Sequence, residues 1–461
     1  MIELKNKNIL VIGLAKTGIS TLKFLHKLNA NIVVNDIKTE DELSSILSEL
    51  KELNNIEFIL GKHIEDISNI DLAVISPGVP LDIPFVIKLK ENNIEVIGEV
   101  ELAYRAFNQN NIKPNIIGIT GTNGKTTTTS LTGELFKNAN KDTHIVGNIG
   151  NPIIDTVDIV SNDSYVISEL SSFQLESVKE FNPHISLILN ITPDHLNRHH
   201  TIENYIGAKA NIFKNQTNND ITILNFDDSS VKELNENTNG TVYYISTEEK
   251  LSDINEKGAY VNEDGNIVIN IDSETILMHK SDLSLPGVHN LENSLATALI
   301  GYLSGLDLNI IKHTLSTFKG VAHRQEFVRN LNGVKYVNDS KATNPDSTIK
   351  ALNSYDNPII LIAGGMDKKS DFTELSLEII KNTKGLVVFG ETASDIQKSV
   401  RTAGYECIVS EVSTLAEAVK TAYKLSKPND IVLLSPACAS WDMYKNFEER
   451  GNEFKDLVNN L

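Results

Sequence analysis

The sequence contains very little cysteine and tryptophan, with two Cys and one Trp among 461 residues. Because only Cys407 and Cys438 are present, a disulfide framework is excluded and a reducing cytoplasm is the expected location. No stretch approaches the roughly 18 consecutive apolar residues of a membrane-spanning helix. The apolar run near the N-terminus is too short for a signal peptide. These absences predict a cytoplasmic protein without a membrane span.

Basic residues are also scarce, since 42 Lys and Arg face 61 Asp and Glu and leave a formal net charge of −19. Nucleic acid and anionic membrane surfaces both favour a basic footprint, so neither is expected as the main partner. A phosphorylated small molecule is not excluded, because one local pocket can be positive in an acidic protein. The composition is that of an ordinary folded protein, with 40% hydrophobic and 22% charged residues.

Short apolar runs alternate with amphipathic stretches along the whole chain, and no fixed-period repeat is present. This alternation is typical of α/β units built on parallel sheets. At roughly 150 residues per domain, the length predicts three domains. A polar stretch at 108–114 and a new series of predicted strands and helices near Val321 mark the boundaries. The predicted domains are 1–110, 111–320 and 321–461. Residues 253–278 alternate with turn residues and predict hairpins at a sheet edge.

The strongest motif lies at 117–127, Ile-Gly-Ile-Thr-Gly-Thr-Asn-Gly-Lys-Thr-Thr, between a predicted strand and a predicted helix. Small residues let backbone N–H groups approach phosphate oxygens, and the helix N-terminus adds a positive dipole end. In such a loop Lys125 reaches the terminal phosphates and Thr126 binds Mg²⁺. The strict pattern has glycine where this chain has Ile119, with Gly118 one position earlier. The alternative is an incidental Gly-Lys-Thr turn.

A second glycine-containing loop, Gly13–Gly18, follows the first predicted strand, and Asp36 ends the next one. The pattern is similar to a dinucleotide-binding fingerprint, but Ala15 replaces its middle glycine. Three interpretations stay open: the loop binds NAD, binds another diphosphate nucleotide, or forms only a tight turn.

Candidate metal ligands follow two further predicted strands. Glu169 ends one strand, and Asp194 and His195 follow another. Such strand ends face the ligand crevice of an open α/β sheet, and this donor set suits Mg²⁺ or Mn²⁺. The alternative is that these are ordinary solvated side chains. By residue type alone Lys209 is expected on a solvated helix surface, His199-His200 is expected to be structural, and Cys438 is expected to be a small buried residue.

Three later segments are rich in polar groups. Residues 286–293 open a helix, where Asn290 and Asn293 can cap it or bind a base, capping being favoured. Residues 337–345 follow a strand, and Lys341 between hydroxyls is suited to holding an anion. Residues 434–451 lead from a strand into a helix.

Taken together, these segments resemble the Mur ligase family over essentially the whole chain, from Gly13 to Gly451. The matching segments are 121–127, 168–174, 190–195, 285–293, 322–324, 338–344 and 435–451. The resemblance implies a Rossmann-like first domain for a UDP-linked substrate, a central P-loop domain for ATP and a Rossmann-like third domain for an amino acid. It implies an ATP-dependent ligase of peptidoglycan precursor synthesis, and thus a role in cell shape and division. The substrates that the resemblance implies are small molecules, and the protein is expected to be a monomer.

Within the family, the runs Gly-Leu-Ala-Lys-Thr-Gly and Ser-Pro-Ala-Cys-Ala-Ser-Trp-Asp indicate a member that adds D-glutamate. The Asp-Asn-Pro-Arg segment of the diamino-acid-adding relatives does not occur. The implied reaction is phosphorylation of the carboxylate of a UDP-muramoyl substrate by ATP, followed by attack of the D-glutamate amine on the acyl phosphate.

The resemblance also implies residue roles. The catalytic group is Lys125, Glu169, His195 and Lys209, and the Mg²⁺ ligands are Thr126, Glu169, His195 and Lys209 as a carbamate. The ATP-binding residues are Gly121, Thr122, Asn123, Gly124, Lys125, Thr126, Thr127, Asn290, Arg324 and Asp339. Residues for the UDP-linked substrate are Thr17, Asp36, Gly78 and Asn148. Those for D-glutamate are Lys341, Thr343, Lys368, Ser440 and Phe447. Two departures are Asn197, where many members have Asp, and the adjacent pair Lys368-Lys369.

Other functions explain fewer of these features. Folylpolyglutamate synthetase shares the phosphate loop but lacks a first domain like residues 1–110. An NAD-dependent dehydrogenase would use Gly13–Gly18 and leave the loop at Lys125 unexplained. A nucleotide-binding scaffold without turnover is the third alternative.

Overall fold

The computed structural model of the chain describes residues 4–366 and 370–461. These residues form two compact units: one contains the chain up to Ser284 together with His289–Phe318, and the other contains Leu285–Val288 and Lys319–Leu461. Within the described ranges, no helix is long and apolar enough to cross a membrane. Both units are built on largely parallel sheets covered by helices, so the predicted α/β fold class is confirmed.

The first sheet lies in the first unit, and all of its strand pairs are parallel. Its strands are β1 (Asn8–Ile12), β2 (Asn31–Asp36), β3 (Ile56–Leu60), β4 (Leu72–Ile75) and β5 (Glu95–Gly98), in the order β3-β2-β1-β4-β5. Its helices are α1 (Lys16–Lys27), α2 (Ser44–Glu49), α3 (Pro84–Glu91) and α4 (Glu99–Gln109). Side chains alternate between the two faces of β1: Ile9 lies in one buried cluster with Leu22 of α1, and Leu10 in another with Leu89 of α3. Both faces are therefore covered, as a parallel sheet requires.

The second sheet, also in the first unit, has the order β14-β13-β12-β11-β10-β9-β6-β8-β7. Its strands are β6 (Asn115–Thr120), β7 (Thr143–Gly147), β8 (Tyr165–Glu169), β9 (Ile185–Ile188), β10 (Ile221–Asn225), β11 (Thr241–Ser246), β12 (Gly258–Val261), β13 (Asn266–Asn270) and β14 (Glu274–His279). The last three form the antiparallel edge predicted for 253–278. The other pairs are parallel, so β6, β8 and β9 end at the same edge of the sheet.

Helices of this sheet are α5 (Lys125–Asn138), α6 (Ser172–Leu175), α7 (Leu196–His199), α8 (Ile202–Ala210), α9 (Ser229–Lys232), α10 (Val288–Leu303) and α11 (Leu308–Thr317). Short 3₁₀ turns occupy Ile153–Thr156, Glu233–Asn237, Leu251–Ile254 and Lys280–Asp282. Helix α5 packs on the sheet through Leu131 and Leu135, which share a buried cluster with Leu299 of α10.

The third sheet lies in the second unit, with the order β15-β16-β20-β17-β18-β19. Its strands are β15 (Glu326–Leu331), β16 (Val334–Asn338), β17 (Ile359–Ala363), β18 (Thr383–Val388), β19 (Ile408–Glu411) and β20 (Ile431–Leu434). Its helices are α12 (Pro345–Leu352), α13 (Thr373–Asn382), α14 (Ala393–Thr402), α15 (Leu415–Leu425) and α16 (Phe447–Asn459). Within this sheet the β15–β16 pair is antiparallel, and the other pairs of described strands are parallel.

A buried carboxylate anchors helix α4 to the chain that follows α6. Glu101 accepts hydrogen bonds from the backbone N–H groups of Lys179, Glu180 and Phe181 at 2.8 to 3.0 Å. Arg105 donates to the same carboxylate at 2.6 Å. Because Glu101 is fully buried, these donors replace the water that the charge loses on folding. The cluster fixes the end of the first sheet against the second.

We expect Glu101→Gln to lower the free energy of unfolding by about 3 kcal/mol, because Arg105 and the backbone donors lose a buried anionic acceptor. The matched control is Glu180→Gln. Its side chain is 63% exposed and lies 3.5 Å from the same arginine, so we expect a loss below about 1 kcal/mol. Urea unfolding of both variants checks the difference, and equal losses would contradict the assigned role of Glu101.

Candidate active site

The phosphate loop joins β6 to α5, and two of its glycines have backbone conformations that favour glycine. Gly121 has φ of 152° and Gly124 has φ of 83°. A Cβ atom on Gly124 would lie 2.5 Å from Oδ1 of Asn293. This close approach of α10 explains why the loop needs glycine immediately before Lys125.

Neighbouring residues hold the loop in shape without a ligand. The N–H of Thr122 donates to the carbonyl of Asn190 and the N–H of Asn123 to its side-chain Oδ1, both at 2.8 Å. Asn293 accepts from the Thr128 hydroxyl at 2.9 Å and donates to Oδ1 of the buried Asn290 at 3.2 Å. The two asparagines singled out in α10 therefore form part of the wall behind the loop.

The ammonium group of Lys125 folds back over the loop. Its Nζ donates to the carbonyls of Gly121 and Thr122, at 2.8 Å in both cases. Thr126 and Thr127, the first residues after it in α5, are buried. The positive charge therefore lies at the helix N-terminus, where phosphate oxygens are best stabilised.

Lys209 is buried in α8, with 1% of its surface exposed, so the solvated position expected from its residue type is wrong. Its Nζ donates to the Gly121 carbonyl at 2.8 Å and lies 4.5 Å from the centre of the Tyr205 ring. Burial, reinforced by the charge of Lys125, lowers the pKa of Lys209 well below its ordinary value, while Asp194 acts in the opposite direction. The helical pattern of α8 buries this lysine beneath the phosphate loop.

Glu169 ends β8 with 1% of its surface exposed. Its Oε1 accepts a hydrogen bond from Nδ2 of Asn148 at 2.8 Å. Its Oε2 is buried and has no hydrogen-bond partner among the described residues. An orphaned carboxylate oxygen at a strand end fits a divalent cation, which would supply the missing partner. Asn148, expected at the UDP-linked substrate, thus also orients this carboxylate.

His195 immediately precedes α7, with φ of 53°, and half of its side chain is exposed. Its ring lies 3.5 Å from Asp194 and packs against Phe173, with 4.9 Å between ring centres. Among the residues that the structure describes, no three His, Cys, Asp or Glu side chains form a ready metal cluster.

The loops of the first sheet are closely interlocked. Gly13 has φ of 89°, and a Cβ atom on Gly18 would lie 2.0 Å from the Gly13 carbonyl oxygen. Asp36 accepts hydrogen bonds from the N–H of Leu14 at 2.7 Å and of Lys38 at 2.9 Å. The glycines therefore make a tight turn, and Asp36 secures it. Thr17 lies in the first turn of α1, and Gly78 lies beyond the end of β4 with open space around it.

In the second unit, Asp339 is a buried carboxylate beside β20. It accepts from the Ser435 hydroxyl at 2.7 Å and from the Gln325 N–H at 3.1 Å. Burial raises the pKa of Asp339 to about 6, although Arg324 opposes the shift. Arg324 Nε is itself buried without a hydrogen-bond partner in the described chain. The Nε–H of Arg324 is therefore a donor that a bound ligand can use.

A second polar cluster of this unit surrounds Arg450, which is fully buried at the start of α16. Its guanidinium donates to the carbonyls of Ser340 and Cys438 at 2.9 and 3.1 Å, and burial lowers its pKa to about 10. It thereby ties the loop of Lys341 to the buried segment that ends at Ser440.

Of the residues expected at D-glutamate, Lys341 lies 5.7 Å from the centre of the Phe447 ring. Thr343 precedes α12, and Ser440 is buried. Lys368 lies outside the described residues, as does Lys369.

Several supporting residues were not predicted from sequence. Asn190 and Tyr205 shape the phosphate loop, the latter with its hydroxyl 3.1 Å from that of Thr122. Arg450 organises the third sheet. Asn190 begins the 190–195 segment that resembles the Mur ligases and directly follows a buried strand, but it was assigned no role of its own. The other two look like ordinary helix residues. The predicted structural role of His199 agrees with its burial, and Cys438 is buried as predicted.

The fold and this site define an α/β protein with a phosphate loop, at which Lys125 and the buried Lys209 both lie. Three family models match the chain: the Mur ligase MurD-like N-terminal domain at 7–98, the Mur ligase middle domain at 119–301 and the Mur ligase glutamate ligase domain at 323–438. The chain belongs to the Mur ligase family, as its motifs predicted.

Two similar relatives are named UDP-N-acetylmuramoylalanine–D-glutamate ligase. That of Clostridioides difficile (strain 630) is 59% identical, with 100% of each chain covered. That of Alkaliphilus oremlandii (strain OhILAs) is 49% identical, covering 100% of this chain and 99% of the relative.

Solved structures share the fold at low sequence identity. The UDP-N-acetylmuramate-alanine ligase of Thermotoga maritima matches with a TM-score of 0.59 and 18% identity, covering 98% of this chain and 99% of the other. A type C pseudomurein peptide ligase from Methanothermus fervidus matches with a TM-score of 0.57 and 20% identity, covering 99% and 100%. These likenesses extend along the whole chain and concern the fold alone.

We expect Gly124→Ala to weaken the binding of ADP by at least about 100-fold, because the added methyl group meets Asn293 and φ becomes strained. The control is Gly207→Ala in α8, where a Cβ atom would have nothing within 4 Å. Calorimetric titration of both variants with ADP measures the effect. Tight binding by Gly124→Ala would show that the loop is not the phosphate site.

Proposed function

We propose that this chain joins D-glutamate to UDP-N-acetylmuramoyl-L-alanine, with cleavage of ATP to ADP and phosphate. The observation that carries the proposal is the 59% identity, over the full length of both chains, to a ligase named for this reaction. The reaction requires neutralisation of phosphoryl charge, positioning of two anionic substrates and exclusion of water from an acyl phosphate.

Residues of the phosphate loop carry the first requirement. Gly121, Thr122, Asn123, Gly124 and Thr127 surround the β- and γ-phosphates of ATP, and the Lys125 ammonium neutralises their charge. Asn290, Arg324 and Asp339 are also assigned to ATP. Support comes from the preformed loop and from the unsatisfied Arg324 Nε.

Mg²⁺ is proposed as the cofactor, held by Thr126, Glu169, His195 and Lys209. The orphaned Oε2 of Glu169 supports this assignment. When bound, such an ion neutralises charge on the transferring phosphoryl group.

Lys209 is proposed to act as a carbamate. Its lowered pKa favours the neutral amine, the form in which nitrogen attacks CO₂ with release of one proton. The product is an anion close to the Lys125 ammonium, because both lysine nitrogens lie at the Gly121 carbonyl. The carbamate would therefore attract Lys125 and would add an oxygen ligand for a cation.

The remaining substrates are assigned to residues of the first and third sheets, with Asn148 added from the second sheet. Thr17, Asp36, Gly78 and Asn148 hold the UDP-linked substrate. Lys341, Thr343, Ser440 and Phe447, with Lys368, hold D-glutamate. The corresponding domains are 1–110 and 321–461, with 111–320 for ATP. We further infer that the protein is a cytoplasmic monomer that supplies peptidoglycan precursors, and thus acts in cell shape and division.

We expect phosphate release only when ATP, UDP-N-acetylmuramoyl-L-alanine and D-glutamate are all present. A matrix of amino acids against UDP-muramoyl acceptors, read by phosphate release, measures this dependence. The control replaces D-glutamate by L-glutamate, which carries the same charge with opposite chirality. Equal ATP hydrolysis without either substrate would contradict the ligase function.

We expect Lys209→Ala to reduce activity by at least about 100-fold, with partial recovery in acetate or formate, because a small carboxylate can occupy the position of the carbamate. Lys214→Ala is the control, since that lysine donates to the Val178 carbonyl at 2.9 Å away from the loop. Full activity of unrescued Lys209→Ala would remove Lys209 from the site, and loss without rescue would argue against the carbamate.

A further inference from the structure

Arg198 of α7 joins the segment that carries His195 to a loop of the first sheet. Its Nη2 donates to the carbonyl of Val79 at 3.1 Å and to Glu176 at 2.7 Å. The side chain is only 11% exposed. Val79 closes the turn that begins at Ser76 and contains Gly78. One guanidinium thus holds the Gly78 turn and the chain after α6 at the same time.

The Gly78 turn is connected in turn to the glycine loop of β1. The hydroxyl of Ser76 donates to the Gly13 carbonyl at 2.8 Å. The two loops assigned to the UDP-linked substrate are therefore fixed to each other. The Val79 carbonyl links both loops to Arg198. Displacement of this arginine would therefore remove one of the contacts that hold the Gly78 turn.

On the other side, Arg198 packs against the neighbour of His195. Its guanidinium carbon lies 4.8 Å from the centre of the Phe173 ring, and the same ring lies 4.9 Å from the His195 ring. Glu176 holds both Arg198 and Nδ1 of the buried His199, the latter at 3.1 Å. Arg198 and His195 lie on one short turn. The position of the His195 ring therefore depends on the contacts that hold Arg198.

We propose that Arg198 is a positioning residue that couples the Gly78 turn, and hence the UDP-linked substrate, to His195. The inference rests on the proposed function, because that function assigns the UDP-linked substrate to Gly78 and Mg²⁺ to His195. A guanidinium suits this role, since its planar fork can bond a carbonyl and a carboxylate while it stacks on an aromatic ring. A hydrogen bond to the Val79 carbonyl alone would stabilise the Gly78 turn without acting on His195.

The test replaces the guanidinium in the full chain by Arg198→Met, which keeps the length of the side chain. We expect the Kd for UDP-N-acetylmuramoyl-L-alanine, measured by calorimetry without ATP or metal, to rise about tenfold. The KM for D-glutamate should stay unchanged, and kcat should fall about tenfold. Arg198→Lys should recover part of both losses. Lys214→Met is the matched control, because it also removes a cation that binds a backbone carbonyl.

A double-mutant cycle with His195→Ala separates positioning from simple bracing. If Arg198 acts through His195, the kcat loss of Arg198→Met should largely disappear in the His195→Ala background. An unchanged Kd for the UDP-linked substrate, or additive losses in kcat, would overturn the proposal. If Arg198→Met does not fold, the Kd for the UDP-linked substrate and the additivity of the kcat losses are measured on Arg198→Lys instead. If the wild type itself neither binds the UDP-linked substrate nor turns it over, the proposed function fails instead.

Discussion

The carbonyl oxygen of Gly121 accepts hydrogen bonds from two lysine side chains, Lys125 and Lys209, each at 2.8 Å. Two ammonium groups at one oxygen would repel each other, so burial and the charge of Lys125 lower the pKa of Lys209 well below its ordinary value. The arrangement persists because the glycine conformation directs the carbonyl inward and because α8 packs Lys209 beneath the loop. The Lys125 ammonium therefore supplies positive charge at the loop, and Lys209 beside it is held in the neutral form.

The other components reach this oxygen because parallel strands end at a common edge. β6 leads into Gly121, β8 ends at Glu169, and Asn190 follows β9. A parallel sheet thus brings together a phosphate loop, an orphaned carboxylate oxygen and an amide that binds the loop, although they lie far apart in sequence. The strands are buried on both faces, so their ends have little freedom to move. Rigidity of the sheet is what lets three separate segments form one site.

Much of this organisation could be predicted from sequence, because buried parallel strands and glycine loops have local signatures. The phosphate loop, the strand end at Glu169 and the antiparallel edge at 253–278 are examples. Edge strands β3 and β15 were not predicted, and both are only partly buried in the structure. Lys209 was misjudged by residue type, because its burial depends on a loop some 88 positions earlier in the chain. Arg450 was missed for the same reason, since its partners come from distant segments.

The net charge of −19 and the local chemistry of the site act on different scales. Exposed charges are screened beyond roughly 10 Å, so the acidic surface contributes little inside a closed loop. At the phosphate loop the Lys125 ammonium donates to two backbone carbonyls, and in the second unit Arg450 donates to carbonyls and a hydroxyl. A carbonyl satisfies a buried cation without cancelling its charge, as a carboxylate would. Anionic ligands therefore meet cations that are held in place but not neutralised, and an acidic protein can bind phosphates through a few such groups.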